Sequence, residues 1–383
     1  MQPLWTRSFT ALTVAMFFLA TGFYLLLTSL PLYIVELGGT EAHVGLLAFV
    51  FTISAMVLRP FVGGLLDRLG RRQFVLGGLL LFAISMFAYT RVVELVPLTL
   101  VRVVHGLSWA ITTTAIATAA SDVIPRRRFG EGMGWFGMST TLGMAVGPLL
   151  PVALLPYISY HGVFLVGCGL AVTSLMIARL AQMPFQPKER KPRVVLFNKA
   201  VLPVAATVFF FAMVYSSIVT FLPLFAESIR VNKGLFFTVY ALFLLVVRAF
   251  SGRLADRHGA APVIVPGLVS ATLTMLVLWQ TETVRGIVFA AILFSIAFGS
   301  AHPILQATAL RLVPPGQKGV ANATYISAFD LGIGLGSVLL GRIAEAQGFA
   351  AMFLATALFG AIALLIYLYF ARRIGGRELL QEA

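Results

Sequence analysis

One carboxylate lies inside a long apolar run near the C-terminus. Asp330 follows Lys318 by twelve residues and precedes Arg342 by twelve, so it falls near the middle of a stretch long enough to cross a bilayer as a helix. A carboxylate there costs about 2.5–3.5 kcal/mol on insertion scales, which makes a functional role the first hypothesis. Asp330 is predicted to bind a proton, another cation, or both in competition. The alternative is a permanent hydrogen-bonded or salt-bridged partner.

A deeply placed arginine and a histidine are the next candidates. Arg102 lies eight residues after Glu94, which places it about 12 Å into the membrane at the rise of an α-helix. A charge at that depth should face the bundle interior or a water-filled cavity, either for function or as a structural arginine bonded to backbone carbonyls. His302 titrates in a useful range, although a lone buried histidine is also compatible with packing.

Further polar and aromatic residues within the apolar runs are candidates for contact with a substrate. Each is also compatible with packing, because helix rotation decides which side chains reach a cavity. Together with His302, the residues predicted to line a substrate cavity are Tyr24, Trp109, Tyr215, Tyr240, Gln306, Asn322 and Tyr325.

Composition indicates which elements position these residues. Of the 383 residues, 59% are hydrophobic and only 11% are charged, and the mean hydropathy is +0.95. A soluble domain carries about 25% charged residues. The apolar runs therefore predict an all-α membrane protein with twelve transmembrane helices. Their expected spans are 8–36, 42–66, 73–91, 95–121, 131–155, 161–183, 200–227, 233–254, 261–281, 286–311, 319–343 and 349–371.

The positive charge of the chain is distributed unevenly between its loops. The formal net charge is +14, and the basic residues lie mainly in short loops. This distribution is the one that the positive-inside rule predicts for a membrane protein, and it argues against nucleic-acid binding. With the N-terminus inside, about 20 of the 28 basic residues are cytoplasmic and five are external. We therefore expect a multi-pass protein of the inner cell membrane with both termini in the cytoplasm.

A shift of 189 residues superimposes similar segments of the two halves. The coinciding pairs include Arg59 and Arg248, Asp67 and Asp256, Gly143 and Gly332, and Gly147 and Gly336. Two pseudo-symmetric six-helix bundles are predicted, at 1–183 and 200–383, joined by a cytoplasmic linker at 184–199. Transporters built from such repeats place the substrate site at the repeat interface, near the bilayer midplane.

A glycine- and arginine-rich loop separates the second and third apolar runs. It reads GGLLDRLGRR from Gly63 to Arg72 and resembles the signature of the major facilitator superfamily; the segment from Gly252 to Gly259 resembles its weaker second copy. The resemblance implies the major facilitator fold and a cytoplasmic gate, with a carboxylate held at a helix N-terminus and an arginine paired with Asp122. The alternative is a positive-inside anchor. The predicted gate residues are Gly63, Asp67, Arg68, Gly70, Arg71, Arg72, Asp122, Asp256 and Arg257.

Two shorter motifs also resemble superfamily signatures. The pattern of Leu98, Arg102 and His105-Gly106 is similar to one seen in proton-coupled members, which implies that Arg102 and Asp330 take part in proton coupling. The pattern Gly143-x3-Gly147-Pro148 resembles the antiporter signature of the drug:proton antiporter branch, but the paired glycines that follow in that branch are absent here. Alternatively, these glycines permit close helix packing and the proline kinks the helix.

The resemblance implies a secondary active transporter that exports a small organic molecule by proton antiport through alternating access. Two alternatives stay open: a dedicated exporter of one metabolite, such as a metal-chelating opine, a sugar or a lipid-like compound, and a proton symporter that imports a small solute. The sequence holds no GxxxxGK[ST], HExxH or GxSxG pattern, so we expect no enzymatic activity, cofactor or metal site. The expected partners are the substrate, protons and the lipid bilayer, with the chain acting as a monomer.

Overall fold

The computed structural model describes residues 3–125, 128–183, 198–232, 234–314 and 317–382, and every regular element within these ranges is helical. This confirms the predicted all-α fold. The helices up to residue 183 are α1 Arg7–Glu36, α2 Glu41–Leu69, α3 Arg71–Tyr89, α4 Leu95–Val123, α5 Phe129–Val146, α6 Leu149–Leu154 and α7 Tyr160–Ala178.

From residue 198 onward, the described chain adds α-helices, a short 3₁₀ helix and two π-helical segments. In chain order these are the 3₁₀ helix Lys199–Val201, α8 Leu202–Ser216, the π segment Ser217–Phe221, α9 Leu222–Ser228, α10 Leu235–His258, α11 Ala261–Gln280, α12 Val284–Ile296, the π segment Ala297–Ala301, α13 His302–Arg311 and α14 Lys318–Glu382.

Polar caps mark where several helices begin. The Thr6 hydroxyl accepts a hydrogen bond from the Phe9 amide at 3.2 Å, at the start of α1. Thr283 caps α12 in the same way. A capping hydroxyl satisfies one of the amide groups that a helix leaves without a partner in its first turn. The apolar runs therefore start as helices at defined residues.

Eleven helices in the described chain are long and apolar enough to cross a membrane. The chain is accordingly a multi-pass membrane protein. The last of these stretches, Val320–Ala371, has 52 residues, and Gly348 interrupts it with φ 83° and ψ 172°. Glycine adopts a positive φ readily because it has no Cβ.

Both π segments stand directly before a helix that has proline in its first turn. Pro223 follows the segment Ser217–Phe221, and Pro303 follows the segment Ala297–Ala301. Proline removes one backbone donor and its ring collides with the carbonyl four residues earlier. The wider π turn avoids that collision without ending the helix. Such π bulges are frequent at functional sites.

The described helices form two compact units. Unit 1 comprises Met1–Gly38 and Val50–Val194, and unit 2 comprises Gly39–Phe49 and Val195–Ala383. The first residues of α2 thus group with unit 2. There the Ser337 hydroxyl donates to the Gly45 carbonyl oxygen at 3.0 Å, and a Cβ on Gly45 would collide with the Ser337 backbone.

Candidate functional site

Arg102 is almost entirely buried in unit 1. Its side chain lies on α4 with 3% of its surface exposed, and the guanidinium carbon stands 4.5 Å from the centre of the Phe51 ring. The guanidinium also hydrogen-bonds the hydroxyl of Tyr89, at the C-terminal end of α3. A desolvated cation over an aromatic face gains about 2 kcal/mol, so both contacts offset part of the burial of the charge.

Aromatic rings enclose the turn of α4 that follows Arg102. His105 is fully buried, and its Nδ1 atom lies 3.1 Å from the Tyr89 hydroxyl. The rings of Phe51 and Phe82 are centred 5.1 Å and 4.7 Å from the imidazole. One turn further, Trp109 stacks on Phe23 of α1 with ring centres 4.0 Å apart.

Small residues let α4 approach its neighbours closely enough for these contacts. A Cβ on Gly106 would collide with the carbonyl oxygen of Phe51 in α2. A Cβ on Gly78 of α3 would stand 2.6 Å from the Thr112 hydroxyl oxygen of α4. Because no side chain separates the backbones, Arg102 comes within reach of both Phe51 and Tyr89.

Asp330 lies in α14 and belongs to unit 2. The residue is half-buried, and its Oδ2 atom is inaccessible to solvent. The preceding residue, Phe329, is centred 4.8 Å from the His302 ring and 5.6 Å from the Tyr215 ring. The carboxylate is therefore carried by a helix turn that packs on aromatic side chains.

Those aromatic side chains form a stacked column in unit 2. The rings of Tyr215 and Phe298 are centred 4.6 Å apart at 22°, and Phe298 stacks on His302 at 4.8 Å and 17°. The Tyr325 hydroxyl donates to the backbone carbonyl of His302 at 2.8 Å. The column thus joins α8, the second π segment, α13 and α14.

Four more predicted cavity residues occupy three separate positions. Gln306 of α13 donates to Asn322 of α14 through its side-chain amide at 2.9 Å. Tyr240 lies on α10 with its ring centred 5.3 Å from Phe294. Tyr24 is half-buried on α1, where its Cβ stands 2.6 Å from the place that a Cβ on Gly147 would take.

An ion pair joins the start of α3 to the end of α4. The Arg71 Nε atom lies 2.8 Å from Asp122 Oδ2, and Arg71 Nη1 donates to the Leu66 carbonyl oxygen at 2.7 Å. Gly70, which precedes α3, has φ 93°, a backbone conformation that favours glycine. Arg71 therefore pairs with Asp122.

The other predicted gate residues are less fully described. Arg72 and Arg257 are exposed. The surroundings of Gly63 and the side chains of Asp67, Arg68 and Asp256 lie outside the described part of the structure.

The glycines of the antiporter-like motif pack against α1. A Cβ on Gly143 would stand 2.6 Å from the Ala20 Cβ, and one on Gly147 would stand 2.8 Å from the Thr21 carbonyl oxygen. Helix α5 ends at Val146, and Pro148 directly precedes α6. The motif therefore brings two helices into backbone contact and then interrupts one of them.

Sequence reasoning missed several residues of these clusters. Tyr89, Phe23 and Phe298 belong to no recognisable motif. His105 was named only as part of the motif that contains Arg102. One signal was available in the sequence. Leu30-Pro31-Leu32 of α1 recurs 192 residues later as Leu222-Pro223-Leu224, and this shift also places Phe23 on Tyr215. Within the described residues, no cluster of histidine, cysteine, aspartate or glutamate fits a metal ion.

Apolar helices of this number, with a few ionisable groups inside them, define a polytopic membrane protein. The sequence profile of the Major Facilitator Superfamily matches residues 12–235 and 230–381. The chain therefore belongs to the Major Facilitator Superfamily, whose proteins are transporters and not enzymes.

Similar proteins include one whose name specifies export and one whose name specifies multidrug resistance. The staphylopine export protein of Staphylococcus aureus is 24% identical over 355 residues, which cover 85% of this chain and 86% of the relative. The multidrug resistance protein MdtG of Escherichia fergusonii is 26% identical over 376 residues, which cover 92% of this chain and 91% of the relative. The crystal structure of a mutant of the nucleoside transporter NupG matches with a TM-score of 0.81 at 14% identity, over 94% of this chain and 99% of that one. At that identity the likeness shows the fold alone.

Proposed function

We propose that this protein exports a small organic molecule in exchange for protons, by alternating access. The observation that carries the proposal is Asp330, a carboxylate with a solvent-inaccessible oxygen in the last long apolar stretch. An intramembrane carboxylate is expensive to insert and marks proton or substrate pathways in transporters. Asp330 takes up a proton from outside and releases it inside, and the substrate moves in the opposite direction, from the inside to the outside.

Arg102 is the second group in this scheme. Its buried charge favours the ionised form of a carboxylate or an anionic substrate group that comes close to it during the cycle. In this scheme the stretch Val320–Ala371 crosses the membrane twice, with a turn at Gly348, which gives twelve spans and two cytoplasmic termini.

The loop after α2 acts as a cytoplasmic gate in the proposed cycle. The Arg71–Asp122 ion pair supports this role because it fastens the beginning of α3 to the end of α4, and a salt bridge between helix ends can form in one state and break in another. Asp67, Arg68 and Gly63 complete the gate in the proposal, together with Asp256 and Arg257 in the second half.

The decisive experiment measures efflux of ethidium from bacteria that lack their main pumps, with and without a protonophore. Wild type, Asp330→Asn and Glu345→Gln are compared. Glu345 is the matched control because it is an exposed carboxylate on the same helix, fifteen residues from Asp330. We expect the protonophore and Asp330→Asn each to reduce efflux to the level of cells without the protein, with Glu345→Gln close to wild type.

Two results would contradict the proposal. Uphill efflux at the wild-type rate in Asp330→Asn would remove that carboxylate from coupling. Efflux that is indifferent to the protonophore would remove proton coupling itself. Addition of substrate to acidified everted vesicles should release protons, which gives an independent measure of exchange.

A dedicated metabolite exporter is the second candidate function. It is favoured by the similarity to a protein whose name specifies one exported compound, staphylopine. Failure of wild type to move any of a panel of dyes, combined with proton release driven by one cellular metabolite, would support this candidate. Substrate accumulation inside the cells, driven by the same proton gradient, would instead indicate an importer.

A further inference from the structure

The hydroxyl of Tyr89 connects Arg102 to His105 inside unit 1. Their exposed fractions are 0% for Tyr89 and His105 and 3% for Arg102. The hydroxyl oxygen lies 3.1 Å from His105 Nδ1, and the Arg102 guanidinium hydrogen-bonds the same hydroxyl. Tyr89 ends α3, whereas the other two residues are one turn apart on α4.

The donors and acceptors of this chain can be assigned. A guanidinium only donates, so the Tyr89 oxygen accepts from Arg102. Its single hydrogen is then available for His105 Nδ1, which accepts it. The imidazole therefore carries its own hydrogen on Nε2, an atom that is buried and has no hydrogen-bond partner among the described residues.

The surroundings of His105 favour the neutral imidazole. The rings of Phe23, Phe51 and Phe82 stand around it at 6.3, 5.1 and 4.7 Å between centres. Within the described part of the chain, the titratable or charged groups beside it are Tyr89 and Arg102. Protonation would place a second positive charge beside Arg102, out of contact with water, and would turn Nδ1 from an acceptor into a donor.

We propose that Tyr89 and His105 are positioning residues for Arg102 in transport: they hold its guanidinium over the Phe51 ring. This inference rests on the proposed role of Arg102 in the transport cycle. His105 serves as a neutral hydrogen-bond acceptor and not as a proton carrier. Without the hydroxyl, the long Arg102 side chain loses one of the contacts that hold its charge over the Phe51 ring, and more of its rotamers become accessible.

The first test compares initial ethidium efflux rates of Tyr89→Phe, His105→Leu and His105→Asn. The asparagine amide keeps an acceptor near the place of Nδ1. We expect the first two variants to lower the maximal rate about tenfold, as loss of a hydrogen bond to a charged group does, with KM nearly unchanged. His105→Asn should recover most of the rate.

Tyr33→Phe is the matched control. Tyr33 is 1% exposed in the same unit, and its hydroxyl lies 3.2 Å from His161 Nε2. The variant therefore removes a tyrosine–histidine contact, together with the hydrogen bond from Tyr33 to the Val92 carbonyl, and neither contact involves Arg102. A rate in Tyr33→Phe as low as in Tyr89→Phe would mean that the effect is merely structural, and would overturn the inference.

A double-mutant cycle with Arg102→Gln separates this inference from the proposed function. If Arg102→Gln is slow and Tyr89→Phe slows it no further, the two residues act as one unit, as expected. Additive losses overturn the positioning role. A slow Arg102→Gln beside an unaffected Tyr89→Phe overturns only the positioning inference, whereas a wild-type rate in Arg102→Gln overturns the role of Arg102 itself.

A second measurement requires no substrate. The chain has five histidines, and the ¹⁵N resonances of His105 are identified by their loss in His105→Asn. We expect the neutral imidazole with hydrogen on Nε2 between about pH 5.5 and pH 8, the range in which an ordinary histidine titrates. The Nδ1 resonance should shift in Tyr89→Phe and stay in place in Tyr33→Phe. A doubly protonated His105 in this range would overturn the assignment as a neutral acceptor.

Discussion

The two units surround corresponding helices with similar rings, and unit 1 places the charge of Arg102 among them. In unit 1 the rings of Phe51 and His105 are centred 5.1 Å apart. The 189-residue shift carries these positions to Tyr240 and Phe294, whose rings are centred 5.3 Å apart. The two pairs occupy matching positions on α2 and α4 and on α10 and α12, so the repeat preserves the aromatic packing.

Arg102 and Asp330 do not follow the repeat, whereas Arg59 and Arg248 do. The position that corresponds to Arg102 is Ala291, and the position that corresponds to Asp330 is Thr141. Apolar packing needs only volume and shape, which both halves retain, whereas a buried charge has to be compensated where it occurs. Residues at which the repeat fails are therefore the better candidates for transport chemistry.

The units also differ in how they accommodate proline. Pro31 lies inside the continuous helix α1, whereas its counterpart Pro223 follows a π segment, as does Pro303. Unit 2 therefore has irregular turns in two of its long helices. These turns adjoin the stacked column that contains Phe298 and His302, which places backbone irregularity next to the turn that carries Asp330.

The largest effect is expected when a charge is placed where unit 2 has none. Ala291 is fully buried, and the positions that match Tyr89 and His105 are Leu278 and Phe294. Ala291→Arg therefore buries a cation without the hydroxyl that Arg102 has, which costs several kcal/mol. We expect most of the folded protein to be lost, as measured by the monodisperse fraction in detergent.

Ala291→Met is the control for that prediction. It adds a side chain of similar length without charge, and overpacking of this kind costs about 1–3 kcal/mol. If Ala291→Arg accumulated as well as Ala291→Met, the aromatic surroundings of Arg102 would not explain how unit 1 tolerates its charge.

A smaller effect is expected at the glycines that bring paired helices together in each unit. A Cβ on Gly332 would collide with the Phe209 carbonyl oxygen of α8, whereas one on Gly143 would stand 2.6 Å from the Ala20 side chain. Both substitutions by alanine should lower the thermal stability, by about 1–3 kcal/mol. Gly332→Ala should be the more harmful because its Cβ would come closer to its nearest neighbour than a Cβ at Gly143 would.

Gly137→Ala provides the reference on α5. Nothing lies within 4 Å of a Cβ at Gly137, so the substitution should be neutral, or stabilising by up to about 1 kcal/mol through helix propensity. Equal melting temperatures of Gly137→Ala and Gly332→Ala would show that the repeated glycines are not needed for close helix contact.

Most of the fold could be predicted from the sequence, because each apolar run specifies its own helix through hydrogen bonds within the run. The predicted span 95–121 corresponds to α4, Leu95–Val123, and the span 161–183 to α7, Tyr160–Ala178. The π segments could not be predicted, since one wider turn leaves composition unchanged. The grouping of Gly39–Phe49 with unit 2 depends on contacts distant in sequence, which hydropathy does not record.

The candidate site was less predictable than the fold. Asp330 and Arg102 could be identified because a charge within an apolar run is visible in the sequence. Their neighbours could not, because helix rotation and approach decide which rings meet. Tyr89 reaches Arg102 only because Gly78 and Gly106 bring α4 close to α3 and α2.

The smallest effect is expected at an ion pair that unit 1 has and the repeat lacks. Arg71 and Asp122 correspond to Ala260 and Arg311, so these two positions of the repeat cannot form an ion pair with each other. The Asp122 side chain is 35% exposed and that of Arg71 is 8% exposed, so solvent screens part of the attraction. Asp122→Asn should therefore lower the stability by only about 1 kcal/mol, measured as thermal unfolding in detergent.

Glu131→Gln, which breaks the exposed Arg128–Glu131 pair, should leave unfolding unchanged. If Asp122→Asn slows efflux far more than its small loss of stability explains, the pair works in the gate; if efflux stays at the wild-type rate, the pair only fastens α3 to α4.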